Sequence, residues 1–173
     1  SIDKSLAAKR LADAYLRQVF ELGFFNADPH PGNILIESPA TVGLIDFGQT
    51  GNISDEMMTQ LVVMAYAAVA REVDVVVDSL ADLGALGSNT DRRNLTRSLQ
   101  LVLDKYYGLP LKRLDLTTLL TEFTDVVRRH DVVVPREVVV LIKAVGMVAS
   151  TASRLDPELN ILELLQQRLK QTL

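Results

Sequence analysis

Asp28, Asn33 and Asp46 are the side chains in this sequence best suited to chemistry. The first two lie in the run Phe25-Asn26-Ala27-Asp28-Pro29-His30-Pro31-Gly32-Asn33, and the third opens Asp46-Phe47-Gly48, thirteen residues after Asn33. Two carboxylates and an amide in a turn-rich segment offer hard oxygen ligands of the kind magnesium takes. A carboxylate without a close basic partner can also accept or orient a nucleophile's proton. Those are the needs of a phosphoryl-transfer site. Gly48 lets the backbone turn sharply after the metal ligand, while Pro29, Pro31 and Gly32 stiffen the loop between the other two. Singly, each residue has a plainer reading. Asp28 before Pro29 opens turns, Asn33 follows Gly32 as turn residues do, and Asp46 at a strand end can be a cap. The case rests on the three together.

The elements that must position them follow from periodicity. Leu11, Tyr15, Leu16, Val19 and Phe20 share one face at helical spacing, which predicts a helix over 4–22 that stops at Gly23. Ile34-Leu35-Ile36 and Val42-Gly43-Leu44-Ile45 are short aliphatic runs joined by Ser38-Pro39-Ala40, a small hairpin with Asp46 at its mouth. Ser54 resembles an N-cap, with Asp55 and Glu56 suiting the first turn of a helix. Helices are expected near 54–71, 72–84, 91–107, 115–130, 136–155 and 158–171. The breaks are Gly84, Gly87-Ser88-Asn89, Gly108-Leu109-Pro110 and Asp156-Pro157, and Pro135 suits a helix's first position.

Composition narrows the class. A chain of 173 residues suits about one domain, long enough to bury roughly 70% of its unfolded surface. It is 48% hydrophobic and 23% charged, with 5% aromatics and no Trp, so Leu, Val and Ala must fill the core. A net charge of −4 without a sustained basic run argues against a nucleic-acid surface. The lack of Cys excludes disulfides and thiolate metal sites. Residues 61–70 and 138–149 are the most apolar stretches. The first is too short to cross a bilayer and the second carries Lys143, so both read as buried helices with no transmembrane segment. The start leads into an amphipathic helix rather than a signal peptide. Without an initiating Met, the sequence is expected to be part of a longer chain.

The separation of Asp28 from Asn33 is that of the Asp and Asn in the protein-kinase catalytic loop, where a D-F-G also follows. Residues 27–33 with 44–51 closely resemble the UbiB family of atypical kinases, also called the ABC1, AarF or ADCK family, whose members carry H-x-D-P-H-P-G-N and D-F-G. The resemblance extends over most of the chain, including Leu155-Asp156-Pro157. It implies a mainly α fold with one small β-hairpin, the C-lobe of a protein-kinase-like fold. That lobe would occupy residues 1–173, with the catalytic loop at 26–33, the hairpin at 34–46, the D-F-G at 46–48 and a helical remainder at 54–172. By this likeness Asp28 is the catalytic-loop carboxylate, Asn33 a magnesium ligand and Asp46 the metal-binding Asp, with ATP and Mg2+ as cofactors. It further implies a role in ubiquinone-type quinone lipid biosynthesis, with quinone-pathway lipids or proteins as partners and a cytoplasmic location or peripheral membrane contact.

Two departures stand out. Asn26 occupies the place of the family's usual His. The family's N-lobe, with its K-x-G-Q extension and alanine-rich loop, is not within these residues, so an N-lobe elsewhere in the parent chain is expected to complete the ATP cleft. Two other functions stay open. An aminoglycoside- or choline-kinase-like phosphotransferase would use a similar loop, and the segment alone could be a non-catalytic helical binding module. Asp28, His30 and Asp46 could be drawn as a transition-metal site, but no second His is near. His30 is expected to fix the loop by bonding to backbone or a carboxylate. His130 reads as a solvated helix-end residue, the Arg92-Arg93 and Arg128-Arg129 pairs as solvated faces, and Phe47 as core.

Overall fold

A computed structural model describes residues 1–109 and 113–172, with side chains described as far as Lys170. Contacts divide these into two compact units, one of Ser1–Ile53 with Val140–Leu173, the other of Ser54–Val139. The fold is mainly helical with the expected hairpin.

In the first unit, α1 spans Lys4–Arg17. The Asp3 side chain accepts from Leu6 N–H and satisfies one of the donors that a helix start leaves open. Ala7, Ala8, Leu11, Ala12, Tyr15 and Leu16 form its buried face. The helix expected over 4–22 does not stay α to its end. From Gln18 to Leu22 it widens into a π turn, and it stops at Gly23 with φ +60°. Such turns are rare and concentrate near functional sites.

Strand β1 (Phe24–Asn26) pairs antiparallel with β4 (Thr50–Asn52), and β2 (Ile34–Glu37) pairs antiparallel with β3 (Thr41–Leu44). The β2–β3 pair is the predicted hairpin, turning through a cis Ser38–Pro39 peptide. The β1–β4 ribbon is an addition to it, since three-residue strands carry too little alternation to be read. Phe25 and Gly51 are partners in that ribbon. A Cβ at Gly51 would lie 2.3 Å from the Phe25 ring, so the ring fills the space that a side chain would need.

α1 braces both pieces. Asp3 N–H donates to Pro39 carbonyl (2.6 Å) and the Arg10 guanidinium to Ala40 carbonyl (3.0 Å), which fixes the hairpin turn. Two further helices, α6 (Arg136–Leu155) and α7 (Ile161–Thr172), meet it through Ser5 Oγ donating to Asp156 (2.7 Å) and Arg168 pairing with Glu21 (2.6 Å). Val138 and Val139 N–H donate to Pro135 carbonyl, so Pro135 stands immediately before α6. Among the described residues α6 is the one helix long and apolar enough to cross a membrane by length and composition. Leu141, Ala144, Val148 and Ala152 nevertheless form a buried face along it.

The second unit holds α2 (Asp55–Ala70), α3 (Val73–Asp82), α4 (Arg92–Tyr106) and α5 (Leu116–Arg129), capped by Ser54 on α2, Asp91 on α4 and Asp115 on α5. Val76, Val77, Leu80, Leu95, Leu99 and Val126 sit in one core cluster. The β-branched run at 75–77 is therefore helical, because burial of that face outweighs its strand propensity. The stretch 61–70 is not buried all round: Val62 and Ala67 are buried, but Val69 is 68% exposed. Its apolar residues surround the helix, and only part of that surface packs. Arg92 is not simply solvated either, since it pairs with Asp78 of α3. His130 caps α5, and its Nε2 lies 2.8 Å from Ser98 Oγ, a half-buried contact rather than a free helix end. The break predicted at Pro110 lies outside the described residues.

Candidate active site

Asn33 and Asp46 become neighbours through the hairpin register. Ile34 pairs with Leu44, and one step further toward the open end Ile45 N–H donates to Asn33 carbonyl at 2.9 Å. Asp46 follows directly. The loop before β2 closes on itself. His30 Nδ1 accepts from Gly32 N–H (3.0 Å), capping the short 3-10 turn Pro31–Asn33, and Asn33 N–H donates to His30 carbonyl (2.8 Å). His30 Nε2 lies 3.8 Å from Asp28 Oδ2. The imidazole thus meets both backbone and carboxylate, the loop-fixing role expected of it. Asn33 Nδ2 donates to Asp28 carbonyl at 3.2 Å, joining the two ends of the loop.

Asp46 is held differently from the expectation. The sharp turn falls on Asp46 itself, at φ +61°, and not on Gly48. Its Oδ1 accepts from Gly48 N–H at 3.0 Å. A Cβ on Gly48 would stand 2.9 Å from that oxygen, so glycine leaves the carboxylate the room it occupies. Phe47 is 47% exposed and is not core.

The residue that joins the two motifs is Asn26, fully buried at 0% exposure. Its Oδ1 accepts from Asp28 N–H (2.9 Å) and its Nδ2 donates to Asp46 carbonyl (3.3 Å). The departure from the family's His therefore retains a donor and an acceptor at this point. The position of Asn26 at the end of β1, opposite Thr50, makes the bridge possible, and no signal in the sequence marks it.

The donor set is of the kind that would suit a magnesium ion. Asn33 commits its amide nitrogen to Asp28 carbonyl, which leaves its oxygen as the free end. Asp46 commits Oδ1 to Gly48 and leaves Oδ2. Two such oxygens match a cation that keeps waters and phosphates as its other ligands. Among the described residues no group of three or more His, Cys, Asp or Glu could hold a metal ion without such help.

Comparison with known proteins bears on the same residues. The ABC1 atypical kinase-like domain matches residues 1–80, and the UbiB helical domain matches residues 99–160. An uncharacterised protein encoded in the hydrogenase 1 5' region of Clostridium pasteurianum is 31% identical over 157 residues, covering 91% of this chain and 29% of that protein. An uncharacterised Synechocystis protein is 29% identical over 167 residues, covering 95% of this chain and 28% of its own length. The chloroplastic protein ACTIVITY OF BC1 COMPLEX KINASE 7 of Arabidopsis thaliana is 36% identical over 102 residues, 59% of this chain and 15% of that protein. The chain thus spans less than a third of each of these relatives. The matches define an atypical kinase-like class of protein. The chain belongs to the UbiB/ABC1 family of atypical kinase-like proteins.

Proposed function

We propose that the intact protein is a UbiB-type atypical kinase or ATPase that binds Mg-ATP, with residues 1–173 supplying the C-lobe side of the cleft and an N-lobe supplying the rest. The observation that supports this reading is the hairpin register, with Ile45 N–H on Asn33 carbonyl bringing Asn33 of one motif opposite the residue that precedes Asp46 of the other. Magnesium, when bound, would neutralise charge on the nucleotide phosphates. The Asn33 amide oxygen and Asp46 Oδ2 would hold it, while the Asp28 carboxylate orients the attacking hydroxyl or water and accepts its proton. His30 and Pro29 keep the Asp28 segment in shape. Family membership favours this reading over an aminoglycoside- or choline-kinase-like one, and it supports a role in quinone lipid biosynthesis, with a quinone-pathway lipid or protein as partner and a cytoplasmic location with peripheral membrane contact.

The test is magnesium-dependent ATP turnover by the intact protein. Asp28→Asn should cost about 10²–10⁴-fold, the usual contribution of a positioned acid–base group, and Asp46→Asn should raise the magnesium requirement. Full turnover in both variants would overturn the assignment.

A further inference from the structure

Two residues of α1 and its π turn reach the site without belonging to either motif. Gln18 Oε1 accepts from Asn26 N–H at 2.9 Å, and Tyr15 Oη donates to Asn26 carbonyl at 2.8 Å. Together with the bonds from its side chain to Asp28 and Asp46, Asn26 is engaged through both its backbone and its amide. We propose that Tyr15 and Gln18 act through Asn26 as positioning residues that set the placement of the Asp28 and Asp46 carboxylates relative to one another. The assignment rests on the phosphoryl-transfer reading above and names the residues outside the motifs on which that site depends.

Three observations carry it. Asp46 is held at φ +61°, a conformation that a non-glycine residue keeps only when its surroundings over-determine it, and the Asn26 amide on its carbonyl is such a restraint. Gln18 is the first residue of the π turn, where the backbone leaves α geometry as its side chain meets β1. The Tyr15 ring packs edge-on to Phe25 with centroids 6.3 Å apart, and Phe25 covers Gly51. The anchors of Asn26 are thereby fixed to both strands of the β1–β4 ribbon. Asn26 is the partner directly behind the site residues, where such groups commonly govern metal affinity or activity by about 10–100-fold, and Tyr15 and Gln18 act one step further back by holding it.

The experiment compares Gln18→Met, which keeps length and removes the acceptor, with Gln18→Glu, which keeps an acceptor, in the intact protein. The readouts are the magnesium titration of ATP turnover, the split between kcat and KM for ATP, thermal midpoint, and amide exchange at Asp28 and Gly48. The expected result is a loss of about 10–100-fold in apparent magnesium affinity or kcat for Gln18→Met, faster exchange at both amides, and recovery of both in Gln18→Glu. Unchanged exchange in Gln18→Met would overturn the proposal, as would losses in both variants that merely follow their thermal midpoints. If the intact protein turns over no nucleotide, the phosphoryl-transfer reading fails and the exchange readout still decides. Faster exchange in Gln18→Met that Gln18→Glu reverses supports the relay, and any other pattern contradicts it.

Discussion

Asp46 turns the chain and presents a carboxylate at once, and Gly48 makes room for it. Gly48→Ala sets a methyl 2.9 Å from Asp46 Oδ1 and must displace it. We expect apparent magnesium affinity to fall by about tenfold, with a nearly unchanged thermal midpoint because the loop is exposed. A magnesium titration beside a melting curve checks both. Tyr15 yields a pH prediction. Burial pushes its phenol well above the ordinary value of 10.0. Because the folded state holds this proton more tightly, the stability it brings is complete below pH 10 and is lost as pH rises beyond it. Tyr15→Phe should therefore show a shallower alkaline loss of stability than the parent, measured by denaturant unfolding between pH 8 and about 11. At this scale the sequence singled out Asp28, Asn33 and Asp46 by their spacing, and the hairpin whose strands join the last two was legible with them. It did not reveal Asn26, whose bonds cross between segments, or that Asp46 rather than Gly48 takes the positive φ.

Helices and the hairpin were legible in advance because periodicity and caps are local signals. Ser54 capping α2 is one case, with its hydroxyl accepting from Met57 N–H. Ser54→Ala should cost about 1 kcal/mol by chemical denaturation. The β1–β4 ribbon and the π turn were not legible, since one depends on pairing across the 23 residues 27–49 and the other on where Gln18 finds a partner. Gly51→Ala tests the ribbon. Its methyl collides with a fully buried Phe25, so overpacking should destabilise by about 1–3 kcal/mol. A change within a few tenths would show that the ring yields freely.

At the scale of the whole molecule, the two units differ in what they hold. The site lies within the unit of Ser1–Ile53 and Val140–Leu173, where α1 anchors the hairpin, the loop and the β1–β4 ribbon. The unit of Ser54–Val139 is a helical core around Val77, Leu95 and Leu99. Since positioning of phosphates is where such catalysis originates, residues 1–173 alone should show negligible ATP turnover, which a steady-state phosphate-release assay on that segment would reveal. The most direct test of the central claim is calorimetric titration of ATP into the intact protein with and without magnesium, repeated for Asp46→Ala. Magnesium should strengthen ATP binding in the parent, and Asp46→Ala should abolish the difference. Equal magnesium dependence in the two proteins would contradict the claim.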